Sequence, residues 1–122
     1  MKTTQEKALG AFRALNRMSQ KSMNSFAAYK LFRLKKALSP VLEFQAEREQ
    51  TLVEELGGTI SETGAILIKD KDKRAEFQQK YKELSDMECE VDAEKLVMYM
   101  KELPEISLSD MDALDEFIEW KE

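Results

Sequence analysis

Apolar residues recur at steps of three and four near the start of the chain, and this spacing predicts helices. The first helix is predicted from about Thr4 to Met18, with Thr3 and Glu6 forming a capping box at its start. Its apolar residues share one face, which indicates that this face packs against the rest of the protein. A polar connection then leads to a second and longer helical pattern.

The second pattern, from Phe26 to Leu56, would span about 45 Å as one continuous helix. Pro40 lies inside it, and proline removes a backbone donor and clashes with the preceding turn. Two structures are therefore open: one rod kinked at Pro40, or two helices with Ser39 capping the second. We favour the single kinked rod, which ends at the pair of glycines that follows.

Beyond the rod, the pattern changes to that of short strands and one further helix. The run from Thr59 to Ile68 places two apolar segments around a turn that contains glycine, and this predicts a small hairpin. Asp70 or Asp72 can cap a third helix, which should end near Asp86 and lie antiparallel to the rod.

The C-terminal third shows strand and helix patterns in turn. Strict alternation from residue 87 to 94 places Cys89 and Val91 on one side and four acids on the other, as in a half-buried strand. The apolar run from Leu96 to Met100 fits a strand or a helix, and we favour a strand. Ser107 caps a short closing helix, with Trp120 at its frayed end.

These elements predict a single α+β domain over residues 1–122. Its expected architecture is a long antiparallel helical hairpin, in which the rod kinked near Pro40 packs on the third helix, with a small antiparallel β-sheet and a short C-terminal helix. The length suits one domain, and 43% hydrophobic residues with four glycines and two prolines is a globular composition. The first apolar stretch is broken by Gly10 and Arg13, so we predict neither a signal peptide nor a membrane span, and expect a cytosolic protein.

Charge is sorted along the chain. Residues 1–42 carry nine Lys or Arg and one acid, whereas residues 43–122 carry 23 acids and ten bases. Such a chain can fold its halves against each other, associate with copies of itself, or offer each end to a different partner. We predict a basic N-terminal and an acidic C-terminal interaction surface. Their residues are Lys30, Arg33, Lys35 and Lys36 on the first, and Glu88, Glu90, Asp92, Glu94, Asp110 and Asp112 on the second.

The residue types that usually carry out catalysis are absent or isolated. The chain has no histidine, which removes the commonest general base and metal ligand. Its one cysteine, Cys89, lies among acids that should raise its thiol pKa, unlike the electropositive setting of reactive cysteines. Acids at period two are typical of the solvated face of a strand, and Asp110 and Asp112 are better explained by helix capping and solubility than by metal binding. We therefore expect a noncatalytic protein without cofactor or metal.

Two aromatic residues beside the basic cluster leave two interpretations open. Tyr29 and Phe32 could stack on bases while the cluster binds phosphates, as in a nucleic-acid-binding protein. Alternatively, they belong to the packed face, and the bases are its solvated flank or pair with the acidic half of the chain. The net charge of −5 favours the second interpretation.

Short strings and the order of the elements carry a resemblance to known proteins. The chain resembles, over nearly its whole length, a family of small uncharacterised proteins of tailed bacteriophages and prophages. That resemblance implies a phage origin and no catalytic residues, although Pro40 departs from the uninterrupted long helix expected of the family. The segments that carry it are Ala14-Leu15-Asn16, Tyr29 to Leu56, Thr59 to Ile68, Leu84 to Asp92, and Ile106 to Ile118.

The expected function is that of a noncatalytic phage or prophage interaction protein in virion assembly or structure. Its partners would be proteins: further copies of itself in a homo-oligomer, other virion proteins, or a host protein. It would act in the host cytoplasm or within the virion, away from membranes. An acidic inhibitor of a host defence or nucleic-acid-handling enzyme is the alternative, and a nucleic-acid-binding module comes third.

Overall fold

Helices dominate the computed structural model, which describes residues 1–122, and the strands form three separate two-stranded sheets. The β1–β4 and β2–β3 pairs are antiparallel, and the β5–β6 pair is parallel. The predicted α+β class is confirmed, although the parallel pair was not expected. The elements are β1 (Lys2–Thr4), α1 (Gln5–Met18), α2 (Ser25–Glu55), β2 (Thr59–Ile60), β3 (Ile66–Leu67), α3 (Lys71–Asp86), β4 (Glu88–Glu90), β5 (Leu96–Tyr99), a 3₁₀ turn (Met100–Glu102), α4 (Leu108–Leu114) and β6 (Ile118–Lys121).

The start of α1 lies one residue later than the capping box predicted. The Thr4 side chain accepts a hydrogen bond from the backbone N–H of Lys7, so Thr4 is the cap. Thr3 belongs instead to β1, where it pairs with Cys89 of β4. A strand at the N-terminus was not predicted, because three residues are too few to show alternation.

The main core lies between α1 and the N-terminal half of α2. Three alanines on the buried face of α1 leave room for the larger α2 side chains, among them Leu34 and Leu38. The C-terminal elements close this core with Val91, Met98 and Phe117. The rod therefore has a second helical partner, α1, besides α3.

The long helix α2 continues through Pro40, so the prediction of a single rod over two separate helices is confirmed. Ser39 lies inside the helix, where its hydroxyl donates to the Lys35 carbonyl at 3.3 Å, so it is not the cap of a new helix. The helix ends as the sequence indicated, since the N–H of Gly57 donates to the Glu54 carbonyl and the N–H of Gly58 to the Val53 carbonyl. Gly57 has a φ of 71°, which completes a Schellman motif.

A second, smaller core lies at the far end of α2. Leu52 and Leu56 pack there with Ile68, and Ile66 and Phe77 lie against them. The predicted hairpin and the predicted third helix both contribute to this core, and Asp70 caps α3 as expected. The helical hairpin of α2 and α3 is thus present, and Leu84 is the one buried residue of α3.

The C-terminal segment follows the predicted strands but not the full predicted helix. β4 and β5 form as expected, and Ser107 accepts a hydrogen bond from Asp110 N–H to cap α4. However, α4 ends at Leu114, and the prediction that Trp120 lies at a frayed helix end is wrong. Trp120 belongs to β6, where it is paired in parallel with Met98. The Phe117 carbonyl accepts a hydrogen bond from the Leu96 N–H at 2.9 Å, next to the paired residues of β5 and β6.

Candidate interaction surface

Part of the sorted charge is paired inside the molecule. The N-terminal ammonium lies 2.9 Å from Glu90, and Lys7 lies 3.7 Å from Glu116. Arg17 Nε donates to Asp110 Oδ1 at 2.8 Å, and Arg17 Nη2 forms an ion pair with the same oxygen at 2.6 Å. The acidic C-terminal segment therefore packs against the basic N-terminal half, and does not form a separate end of the molecule.

Asp110 is thus an internal residue, and its predicted place on the interaction surface is wrong. Its side chain is 5% exposed, whereas that of Arg17 is 55% exposed. The carboxylate lies in the first turn of α4, where Ser107 caps the helix. The pair therefore fastens α4 to α1, which leaves Asp110 unavailable to a partner.

The outer face of the first turns of α2 exposes three aromatic rings. Phe26 is 79% exposed, Tyr29 is 59% exposed and Phe32 is 58% exposed. The interpretation that placed Tyr29 and Phe32 on the packed face is therefore wrong. Ala27 and Leu31 occupy that face, and helix geometry turns the aromatic residues away from it. At roughly 200 Å² per ring, the three expose about 400 Å² together, the size of a functional patch.

Two cations complete this surface, which we call the aromatic–basic face and define as Phe26, Tyr29, Phe32, Arg33 and Lys36. The Arg33 guanidinium lies 5.9 Å from the centre of the Tyr29 ring, within cation–π range. Arg33 and Lys36 are exposed, and no acid lies within ion-pair distance of either in the molecule.

The other two residues of the predicted basic cluster are turned to the flanks of α2. Lys30 donates to the Val97 carbonyl of β5 at 3.1 Å and lies 6.0 Å from the Tyr99 ring. Lys35 lies 5.4 Å from the ring of Phe12 on α1. The cluster that is contiguous in sequence is therefore split, with two cations facing outwards and two in contacts that hold neighbouring elements.

An open cleft of about 1090 Å³ brings basic and acidic predicted residues together. Lys30 and Arg33 line one wall, and Glu90, Asp92 and Glu94 line the other. Asp92 and Glu94 are exposed and form no ion pair, while Glu90 is paired with the N-terminus. The acidic wall would repel a polyanion that approached the basic wall.

The remaining two predicted residues lie outside the cleft. Glu88 is exposed on β4, opposite Thr4 of β1. Asp112 is exposed on α4, at a shallow depression shared with Lys7 and Glu116. The predicted acidic surface is therefore divided among three places, and it presents no continuous array of carboxylates.

A smaller groove of about 420 Å³, which sequence reasoning missed, separates the end of α1 from the start of α2. Leu15, Met18 and Phe32 contribute apolar surface, and Lys21 and Lys35 contribute positive charge. It adjoins the aromatic–basic face through Phe32. The sequence does not predict this groove, because the groove depends on how α1 and α2 are placed relative to each other.

Cys89 is the one thiol of the chain, and it is half-buried. Burial raises the pKa of the Cys89 thiol above its ordinary value, and the charges of Glu116 and Glu90 raise it further. This is the direction predicted from its acidic neighbours.

No group of three or more Cys, Asp or Glu side chains is positioned to hold a metal ion. None of the helices combines the length and the apolar character needed to cross a bilayer.

The fold and this surface together define an α+β domain with an outward-facing aromatic–basic helix. No protein-family model, no curated protein and no solved structure matches this chain.

Proposed function

We propose that this chain is a noncatalytic interaction protein of a phage or prophage, which acts in virion assembly or structure in the host cytoplasm or within the virion. The aromatic–basic face is its principal contact surface, and the exposed acids of the C-terminal segment form a second one. The phage setting rests on the resemblance of the sequence, and the role in contacts rests on the surface.

The observation that carries the proposal is the exposure of Phe26, Tyr29 and Phe32 on a helix whose opposite face is buried. Aromatic residues and arginine are enriched where proteins bind one another, and they contribute most of the binding energy there. Burial of about 400 Å² of apolar surface would favour association by roughly 10 kcal/mol before the costs of binding are subtracted.

The alternative function, an acidic inhibitor of a host enzyme, is supported by the free carboxylates of Asp92 and Glu94 on one wall of the cleft. It is weakened because Asp110 is buried against Arg17 and Glu90 is paired with the N-terminus. These contacts reduce the number of carboxylates that could take the place of phosphates.

A nucleic-acid-binding role draws on the same rings and cations, which could stack and bind phosphates. It is weakened by the acids that face Lys30 and Arg33 across the cleft. Titration with labelled DNA and RNA at about 50 mM salt tests it, since phosphate-driven affinity is strongest at low salt. Binding that disappears in the Arg33→Glu/Lys36→Glu variant would favour this role over the proposed one.

Affinity capture from a lysate of phage-infected or induced cells tests the proposed function. The bait is the wild type, the face variant Arg33→Glu/Lys36→Glu, or the control Lys69→Glu/Lys71→Glu, which makes the same charge change at exposed positions around the start of α3. We expect virion proteins with the wild type and the control, and their loss with the face variant. Equal capture by all three baits would refute the role of the face, and a stoichiometric host nucleic-acid enzyme would favour the inhibitor.

A further inference from the structure

The outer side of α2 carries a stripe that changes sign at its centre. Its members follow one another at alternating steps of four and three residues, the spacing that keeps side chains in line along one side of a helix. The N-terminal half of the stripe is aromatic and basic, and the C-terminal half is acidic. The members are Tyr29, Arg33, Lys36, Pro40, Glu43, Glu47, Gln50 and Glu54.

The four charges nearest the centre have no partner within the molecule. Arg33, Lys36, Glu43 and Glu47 are all exposed, and none belongs to an ion pair. Lys36 and Glu43 are seven residues apart, which is about 10 Å along the helix axis, so they do not meet on their own helix. The stripe is therefore complementary to itself only if a second helix is laid against it.

The positions of these charges fit a two-fold axis that passes near Pro40. Arg33 and Glu47 lie seven residues on either side of Pro40, and Lys36 and Glu43 lie four and three residues away. An antiparallel second α2 would place Arg33 opposite Glu47 of the other copy, and Lys36 opposite Glu43. The two-fold axis generates each contact twice, which gives four ion pairs.

We propose that a second copy of this chain occupies the aromatic–basic face, with α2 packed antiparallel on α2 about an axis at Pro40. The proposal rests on the proposed function, because it uses the same contact surface. A parallel arrangement is disfavoured, since it would bring Arg33 against Arg33 and Glu47 against Glu47.

The area available suits a dimer of ordinary size. The exposed aromatic rings supply about 400 Å² per copy, half of the roughly 800 Å² per partner of a standard interface. Phe44, which is 40% exposed beside the acidic half, adds apolar surface. The aliphatic stems of the charged side chains supply further area while their ends remain at the rim.

Sedimentation equilibrium of the purified full chain tests this dimer. We expect the wild type to dimerise at about 50 mM salt and to dissociate partly at about 500 mM, because salt screens the rim charges. An acidic-stripe variant, Arg33→Glu/Lys36→Glu, and a basic-stripe variant, Glu43→Lys/Glu47→Lys, should each dimerise at least about 100-fold more weakly, since four attractions become repulsions. The control Lys69→Glu/Lys71→Glu should behave as the wild type.

Mixing the two stripe variants provides the decisive measurement. An all-acidic stripe fits an all-basic stripe, so the equimolar mixture should form a heterodimer with near wild-type affinity. Circular dichroism verifies that each variant is folded, and all four changed residues are exposed. A monomeric wild type at low salt, dimers that survive in both variants, or a mixture that stays monomeric would each overturn the proposal.

The two proposals can fail separately. If the wild type is a monomer but capture of virion proteins still depends on Arg33 and Lys36, the dimer is refuted and the proposed function stands. If the dimer forms as described but no virion protein is captured, the proposed function is refuted and the dimer stands.

Discussion

The Arg17–Asp110 ion pair should be the strongest polar link between the basic and acidic parts of the chain. Arg17 Nε donates a hydrogen bond to Asp110 Oδ1 at 2.8 Å, and Nη2 lies 2.6 Å from the same oxygen. Replacing Arg17 by methionine would leave a carboxylate without its partner in a site that is 4% exposed. Asp110→Asn would remove the charge but keep one oxygen that can accept a hydrogen bond.

The expected magnitudes follow from this geometry. Hydrogen bonds to charged groups are worth about 1.5–3 kcal/mol, and losing one partner of a fully buried pair costs about 3–5 kcal/mol. Because the Arg17 side chain is 55% exposed, solvent screening lowers this cost, so we expect Arg17→Met to destabilise by about 2 kcal/mol. Asp110→Asn should cost about 1 kcal/mol, and the coupling between the two changes should be about 1–2 kcal/mol.

Urea unfolding of the wild type, both single variants and the double variant measures this coupling. Trp120 is the only tryptophan and donates to Asp115 just after α4, so its fluorescence reports on the anchored segment. The control cycle is Lys7→Met with Glu116→Gln, a pair at 3.7 Å whose side chains are 62% and 35% exposed and which should couple by less than about 0.5 kcal/mol. If the two cycles gave equal coupling, the burial of Asp110 would have no energetic consequence and the reasoning would be refuted.

Three further predictions concern single side chains. The buried Gln45 has no hydrogen-bond partner for either side-chain polar atom, so Gln45→Leu should raise the free energy of unfolding, measured by urea unfolding, by about 1–2 kcal/mol. A lower free energy of unfolding in this variant would contradict the prediction. A Cβ at Gly58 would lie 2.7 Å from Ile68 Cγ1, so Gly58→Ala should destabilise the protein by about 1–3 kcal/mol. Gly10 lies within α1 and a Cβ there would meet open space, so Gly10→Ala should stabilise the protein by about 0.5–1 kcal/mol. The pKa of the Cys89 thiol is raised in the folded protein, so at a given alkaline pH a smaller fraction of it is thiolate than in the unfolded chain. The rate of disulfide exchange with an aromatic disulfide should therefore have the midpoint of its pH dependence at a higher pH in the folded protein than in the urea-unfolded chain. The free energy of unfolding should fall as pH rises between the unfolded and folded pKa values of the thiol, since the unfolded thiol loses its proton first.

The helices could be predicted because their signals are local. Asn24 and Asp70 act as N-caps, and the apolar residues of α2 repeat over eight turns, so no distant contact is needed to recognise these elements. Pro40 did not divide the helix, because Leu38 and Val41 on either side of it are buried in the main core. The packing of a long amphipathic face outweighed the loss of one backbone hydrogen bond.

The strands β1 and β6 could not be predicted because their partners are distant in sequence. β1 exists through its pairing with β4, about 85 residues away, and β6 through its parallel pairing with β5. The sequence from Leu114 to Trp120 carries apolar residues at helical spacing, so local reasoning extended α4 through it. Tertiary contacts decided otherwise, as they often do for short segments with weak local preference.

The candidate surface was predictable in its charges and not in its aromatic residues. The basic cluster was visible in the sequence, but whether Tyr29 and Phe32 lie inside or outside depends on the rotation of α2. Ala27 and Leu31 determine that rotation, because they pack in the core with α1. The bulkier aromatic residues are the ones left outside, which a ranking of residues by hydrophobicity would not anticipate.

The charge sorting of this chain combines two separate arrangements. Arg17 and Lys7 pair with acids of the C-terminal segment, so this part of the sorting stabilises the fold. The change of charge sign within α2 does not stabilise the fold through ion pairs. Lys36 and Glu43 are exposed and unpaired, and they lie about 10 Å apart along one helix. A chain that needed only to neutralise itself would not place exposed opposite charges where they cannot meet. The sign change in α2 therefore favours a contact with another molecule whose charge pattern runs in the opposite direction, and an antiparallel copy of the same helix has that pattern.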